Sequence, residues 1–122
     1  MPKPTAIGSL VWRRMRVTAV STDPASAVRV PVASVSCVDL TVLTDKRPDP
    51  HSVNSAFRAA GGVIGATDQP LVSTDMRARP QSIIMACPET RTTGQGLLRV
   101  FGWYDNEWGF SNRMLDIALR MG

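Results

Sequence analysis

The feature that most constrains the fold is a cluster of aromatic residues between a strand-like run and a helix-like run. Four of the seven aromatic side chains of the chain lie in residues 103–112, together with Asp105, Asn106 and Glu107. Residues 97–102 have the pattern of a strand, and residues 111–121 that of a helix. Ligand contacts commonly lie at such junctions. The cluster therefore predicts either a binding loop or an aromatic plug at the end of a domain.

Residues 28–44 contain the clearest strand pattern in the chain. Valine and leucine alternate there with other residues, and β-branched side chains are frequent, as a pleated surface favours. Pro31 lacks the N–H group that a sheet ladder needs, so it marks an edge or a bulge. We predict an extended arm followed by a strand.

A helix is predicted directly after this strand. Asp49 can cap its first turn and Pro50 suits that turn, while Gly61 and Gly62 supply the backbone geometry of a helix end. One apolar face at helical spacing is formed by Val53, Ala56, Phe57 and Ala60.

The remaining segments define the fold class. Residues 70–74, 82–86 and 97–103 are predicted strands, and residues 88–96 are the long loop of a hairpin between the last two. The length of 122 residues indicates one domain. The order β, α, β, β, β, α predicts an α+β domain, with a mostly antiparallel sheet and helices on one face.

The charge of the chain is uneven. The net charge is +4, and all of it belongs to residues 1–36, because residues 37–122 carry nine basic and nine acidic side chains. Three arginines beside Trp12 form a thin basic patch, which leaves nucleic-acid binding as a minor alternative. No apolar run approaches the roughly 20 residues that cross a membrane, so no membrane partner is expected.

Few side chains have the pattern of a reactive site. Cys37 and Cys87 lie in apolar runs without metal-ligand spacing, so we expect buried structural thiols and a reducing, cytoplasmic location. His51 is the only histidine, and no nucleophile or orienting partner lies near it in sequence. We expect it to be a surface residue. Arg29, among apolar neighbours, either offers its guanidinium to a phosphate or carboxylate or faces solvent.

Six stretches of the chain form an ordered series of motifs, namely residues 27–32, 35–42, 54–60, 70–75, 81–84 and 103–112. This series resembles the phosphorylating glyceraldehyde-3-phosphate dehydrogenases. The resemblance covers residues 27–122 and is most specific at residues 103–112. Residues 109–116 lean towards the erythrose-4-phosphate dehydrogenase branch of that family.

The resemblance implies part of an NAD-dependent enzyme that oxidises a phosphorylated aldehyde through a cysteine thioester. Arg29 matches the arginine that binds a substrate or inorganic phosphate. Asn106 matches the asparagine that holds the nicotinamide carboxamide, with Tyr104 and Glu107 as supporting neighbours. Phe110 stands where many members have tyrosine, so a hydroxyl contact is lost there.

The chain also departs from the family. The family's dinucleotide-binding domain, catalytic cysteine and catalytic histidine lie upstream of this region, and neither Cys37, Cys87 nor His51 matches those catalytic motifs. The link after Ala60 is also shorter than in the family. We expect residues 1–26 to be a poorly defined basic segment and residues 27–122 an incomplete catalytic domain, as in a truncated or frameshifted gene product.

Two functions follow from these departures. The first is a family member or fragment that is inactive alone, with no catalytic residue and no metal site of its own. The second is a non-catalytic assembly module, forming a homo-oligomer or a hetero-oligomer with a full-length dehydrogenase.

Overall fold

The computed structural model describes residues 28–122 and confirms the α+β class. The predicted basic segment 1–26 and the arginines beside Trp12 lie outside the described residues. Short 3₁₀ turns occupy Ser73–Met76 and Cys87–Glu89. The regular elements are β1 (Ser36–Leu43), α1 (Pro50–Ala60), β2 (Ile64–Thr67), β3 (Ile83–Ala86), β4 (Arg91–Thr92), β5 (Leu97–Tyr104) and α2 (Asn106–Met121).

Strand β5 is the centre of the sheet. It pairs with β1 along its whole length, with Ser36 opposite Tyr104 and Leu43 opposite Leu97. Its other edge carries β3 and β4, and β2 lies parallel to β3 beyond them. All the pairings of β5 are antiparallel, as predicted, and the one parallel pairing is at the β2 edge.

Helix α1 begins and ends where its capping residue and the glycines after it predicted. The Asp49 carboxylate accepts a hydrogen bond from the Ser52 N–H at 3.0 Å, and Gly61 and Gly62 both have positive φ. Val53 and Phe57 of α1 pack on Met85 and Leu98, which places the larger apolar core between α1 and one face of the sheet.

A second, smaller core lies on the opposite face of the sheet. Ile84 follows Ile83 in β3, and successive strand residues point to opposite faces. Ile84 packs there with Val35 and Met76, and Leu71 and Trp103 border them. This core holds the chain segment before β3 against the sheet.

The strand predicted at residues 70–74 is wrong. Pro70 has no N–H group, and the Val72 N–H donates instead to the Asp75 carboxylate at 2.9 Å, so a side chain replaces a sheet partner and a 3₁₀ turn forms. Two strands were not predicted. They are β4, which lies within the predicted loop 88–96, and β2, whose four residues include one glycine and one alanine. A segment of four residues with small side chains has little of the composition that predicts a strand.

Helix α2 leaves much of its apolar surface uncovered by residues 28–122. Its buried position is Gly109, where an added Cβ would lie 3.2 Å from the Gln81 carbonyl oxygen, and the Arg113 guanidinium donates to the Ser82 hydroxyl at 3.0 Å. The exposed apolar side chains of α2 are Trp108, Phe110, Met114, Leu115, Ile117, Leu119 and Met121. Neither α1 nor α2 combines the length and the apolar character that a membrane-crossing helix requires.

The difference in burial between α1 and α2 gives a stability prediction. Phe57 is 7% exposed in the core under α1, whereas Phe110 is 65% exposed on α2. Phe57→Ala should lower the free energy of unfolding by about 3–5 kcal/mol through lost burial and a cavity. The same change at Phe110 should stay within about 0.5 kcal/mol. Urea denaturation of both variants measures the difference, and equal losses would contradict this core assignment.

Candidate ligand-binding site

The N-terminus of α2 is organised by Asp105. One carboxylate oxygen accepts from the Trp108 N–H at 3.1 Å and so caps the helix. The other accepts from the Ala78 N–H at 2.9 Å, and Ala78 has a φ of 58°, a conformation that alanine seldom adopts. A single side chain therefore holds both the helix start and the loop before β3.

These hydrogen bonds also fix the ionised form of Asp105. The N–H groups of Ala78 and Trp108 hold the pKa of the Asp105 carboxyl below its ordinary value, and the positive charge of Arg77 adds to the effect. The carboxylate is therefore charged at neutral pH. Its negative charge lies at the positive end of the helix dipole, where it is stabilising.

Asn106 is the first residue of α2, and its side chain is exposed. The helix was predicted to begin at residue 111, so its start is five residues too late in that prediction. The reason is that the aromatic residues hide the capping signal of Asp105. Glu107 is also exposed, and Tyr104, at the end of β5, is half-buried. Residues 103–112 are therefore a strand end followed directly by a helix, with the amide of Asn106 at the helix start.

Arg29 lies in the arm that precedes β1. Residues 28–35 form no regular element, and Arg29 is exposed. The Val32 N–H donates to the Val30 carbonyl oxygen at 2.8 Å, so the arm turns at Pro31 rather than being extended throughout, as was predicted. The arm is anchored by Val35, which is buried against Met76 and Ile84 and has a φ of 75°. Valine in that region is a strained outlier that surrounding packing must enforce.

The two segments that carry Arg29 and Asn106 leave the sheet at the same end. Ser36, the first residue of β1, is opposite Tyr104, the last residue of β5. Both segments also contact the loop before β3, since Val35 packs on Met76 and Asp105 accepts from Ala78. The tertiary structure therefore brings the two predicted site segments to one region. Sequence reasoning gave no role to Val35 or to Asp105, although an aspartate before a helix is a recognised capping signal.

A separate cluster lies on the sheet face opposite α1. The Arg99 guanidinium donates twice to Asp39, at 2.7 Å each, and once to Glu89 at 3.0 Å. The hydrogen bonds from Arg99 lower the pKa of Asp39. Arg99 also lies over the Phe101 ring beside a cavity of about 310 Å³. Because two carboxylates already occupy its donors, Arg99 offers little to a further anion.

The predicted burial of the two cysteines and of His51 differs from the structure at one residue. Cys87 is buried, as predicted, and burial raises the pKa of its thiol. Cys37 is exposed on β1, so the prediction of a buried thiol is wrong there, because its side chain lies on the sheet face opposite α1, away from the larger core. His51 is exposed, as predicted. Residues 28–122 contain no group of three or more side chains suited to hold a metal ion.

Comparison with known proteins identifies the family. The family model described as "Glyceraldehyde 3-phosphate dehydrogenase, C-terminal domain" matches residues 9–106. The chain belongs to this family, as its motifs predicted. It is 44% identical over 98 residues to "Glyceraldehyde-3-phosphate dehydrogenase 2" of Staphylococcus aureus (strain N315), and 42% identical to the protein of that name from Staphylococcus epidermidis (strain ATCC 12228 / FDA PCI 1200). Each alignment covers 79% of this chain and 29% of the relative.

The geometry of Asp105 generates a pH prediction. Asp105→Asn retains a capping side chain but removes the charge, and should lower stability at pH 7 by about 1 kcal/mol. The folded-state pKa of Asp105 lies below its unfolded value. Its contribution is therefore complete above the unfolded pKa and is lost as pH falls through the folded one.

The gap between wild type and Asp105→Asn should accordingly close in acid. Thermal unfolding of both proteins at pH 7 and below pH 3 measures it, and the remaining carboxylates affect both proteins alike. A gap that is constant with pH would show that the charge of Asp105 contributes nothing.

Proposed function

We propose that residues 27–122 are the part of an NAD-dependent aldehyde dehydrogenase that holds the substrate phosphate and the nicotinamide. The observation that carries this proposal is the family match, which spans both Arg29 and Asp105–Asn106. Arg29 would bind the phosphate and Asn106 the nicotinamide carboxamide. The convergence of their two segments at one end of the sheet supports a shared site.

The Arg29 side chain is suited to bind a phosphate group and is accessible to one. Its guanidinium presents planar, paired N–H donors that match phosphate oxygens. It is exposed, and no carboxylate of residues 28–122 forms an ion pair with it, in contrast to Arg99. The packing of Val35 gives the arm a fixed point six residues away.

Asn106 suits a carboxamide in the same way. A primary amide both donates and accepts, so it can pair with another amide in a complementary manner. Its backbone is held by the cap that Asp105 forms on one side and by the packing of Gly109 against Gln81 on the other. A nicotinamide ring would therefore meet an exposed amide that is carried on a fixed backbone.

We propose that this chain does not transfer hydride unaided. Oxidation of an aldehyde through a thioester needs an activated thiol beside a base. The Cys87 thiol is buried with a raised pKa, and no hydrogen bond joins His51 to either cysteine within the described residues. The remainder of the active site would have to come from other parts of a dehydrogenase.

The substrate would be a small phosphorylated aldehyde. The names of the relatives point to glyceraldehyde 3-phosphate. Residues 109–116 favour erythrose 4-phosphate as the other candidate. The phosphate contact serves both compounds, since they share that group.

The second candidate function is an assembly module that joins another copy or a full-length dehydrogenase. The observation that favours it is the uncovered apolar surface of α2, where seven large apolar side chains are exposed. Patches of this kind often mark interaction sites.

The first test is a search for turnover. The purified chain with NAD, inorganic phosphate and either aldehyde should produce no NADH absorbance, because no activated thiol is present. A full-length relative in the same cuvette is the positive control. Sustained NADH production by the chain alone would contradict the proposed inactivity.

The second test measures phosphate binding at Arg29. Titration of the chain with inorganic phosphate should shift the backbone amide signals of residues 28–35 in an NMR spectrum. Arg29→Ala should weaken this binding about tenfold or more, the effect of losing hydrogen bonds to a charged group. Arg47→Ala, which removes another exposed arginine, is the matched control. If both substitutions weakened phosphate binding equally, the binding would be general electrostatic attraction, and the proposed site at Arg29 would be wrong.

A further inference from the structure

Helix α2 faces the rest of the described chain with polar residues and a glycine. Its buried or half-buried positions are Gly109, Asn112, Arg113 and Asp116, which recur at helical spacing and so form one stripe. The large apolar side chains of α2 lie outside this stripe and are exposed, and neither core within residues 28–122 includes a residue of α2. Apolar packing, which is non-directional, therefore does not orient the helix against the described residues.

Three directional contacts hold α2 instead, and each is made to residues 78–82, which form the seat of the helix. The α2 residues involved are four positions apart, so they lie on one face. The contacts are the hydrogen bond from the Ala78 N–H to the Asp105 carboxylate at 2.9 Å, the close approach of Gly109 to the Gln81 carbonyl oxygen, and the hydrogen bond from the Arg113 guanidinium to the Ser82 hydroxyl at 3.0 Å.

The seat is itself fixed at both ends. Met76, two residues before it, is 1% exposed and belongs to the smaller core. At the other end the Ser82 N–H donates to the Val63 carbonyl oxygen at 2.8 Å. The seat therefore gives α2 a defined position relative to the sheet.

The orientation of α2 decides where the Asn106 amide lies. A side chain in a helix ends about 5–6 Å from the axis, so a rotation of about 20° moves that end by roughly 2 Å. A hydrogen bond tolerates a range of only about 0.5 Å between its heavy atoms. Asn106 can therefore pair with a bound carboxamide only where the seat keeps the helix in one orientation.

We propose that Gly109 and Arg113 are positioning residues for the nicotinamide contact and act on Asn106 through the seat. Gly109 lets α2 approach the seat closely because it has no Cβ atom, and Arg113 fixes the rotation of the helix one turn further on. The inference rests on the proposed function of Asn106, and it adds to that function two residues that need not touch the ligand.

Substitutions of Gly109 separate positioning from helix stability. Gly109→Ala and Gly109→Leu both introduce a better helix former, so α2 itself should become more stable. The new Cβ would lie 3.2 Å from the Gln81 carbonyl oxygen, so helix and seat must separate by a few tenths of an ångström in the alanine variant and further in the leucine variant. A role in helix stability alone predicts equal or tighter binding of nicotinamide, whereas a positioning role predicts weaker binding.

Titration of the full-length chain with nicotinamide, followed at the Asn106 amide signals by NMR, measures this binding. Gly109→Ala should weaken it about threefold and Gly109→Leu about tenfold, the range expected for one impaired hydrogen bond. Ser111→Leu adds a similar bulk at an exposed position of the same helix and should bind nicotinamide as the wild type does.

A second pair of variants tests the Arg113 contact without changing Gly109. Ser82→Ala and Arg113→Ala should each weaken nicotinamide binding about threefold. The double variant should bind no more weakly than Arg113→Ala, because both substitutions remove the same hydrogen bond. Circular dichroism and the amide signals of β1 check that all the variants are folded.

The outcomes distinguish this inference from the proposed function. If the wild type binds nicotinamide and Gly109→Leu binds it equally well, the inference is wrong and the contact at Asn106 stands. Additive losses from Ser82→Ala and Arg113→Ala would overturn the role of Arg113. If the Asn106 signals of the wild type do not respond to nicotinamide, the proposed function and the inference both fail.

Discussion

The hydrogen-bonded pairing of β5 with β1 and β3 determines the position of every other described element. The β1 ladder sets the arm before β1 and the helix after β5 at one end of the sheet, because Ser36 lies opposite Tyr104. The pairing with β3 brings Met85 and Leu98 under α1 on one face, and Ile84 to Met76 on the other. A slip of one residue in β5 would exchange these two faces and disrupt both cores.

The residues at the end of β5 connect three parts of the structure. Asp105 ends the strand, caps α2 and fixes the loop before β3, all through two carboxylate oxygens. Val35 holds the opposite arm to the same loop from a strained backbone conformation. Strain of this kind persists where surrounding packing over-determines it, commonly beside ligand sites. These contacts fix the backbone on both sides of the segments on which the proposed phosphate and nicotinamide contacts lie.

Much of the fold was predictable because its signals are local. The cap at Asp49, the glycines after α1 and the alternation in β1 each act within a few residues, and each was confirmed. Two of the errors share one cause, which is a carboxylate that accepts a hydrogen bond from a backbone N–H group three residues away. Residues 70–74 have strand composition, but the Asp75 carboxylate takes the Val72 N–H, and the burial of Met76 favours a turn. Helix α2 begins earlier than its apolar pattern indicates, because capping by Asp105 outweighs the aromatic composition.

By itself, the sequence was enough to predict the family and the α+β class, because both follow from short motifs and local patterns. The two candidate contacts, Arg29 and Asn106, were implied by the resemblance of those motifs to the family. Only the tertiary structure decided that the segments carrying Arg29 and Asn106 leave the sheet at the same end and that Cys37 is exposed. These properties depend on strand register, which joins residues about 60 positions apart through backbone hydrogen bonds that no local pattern encodes.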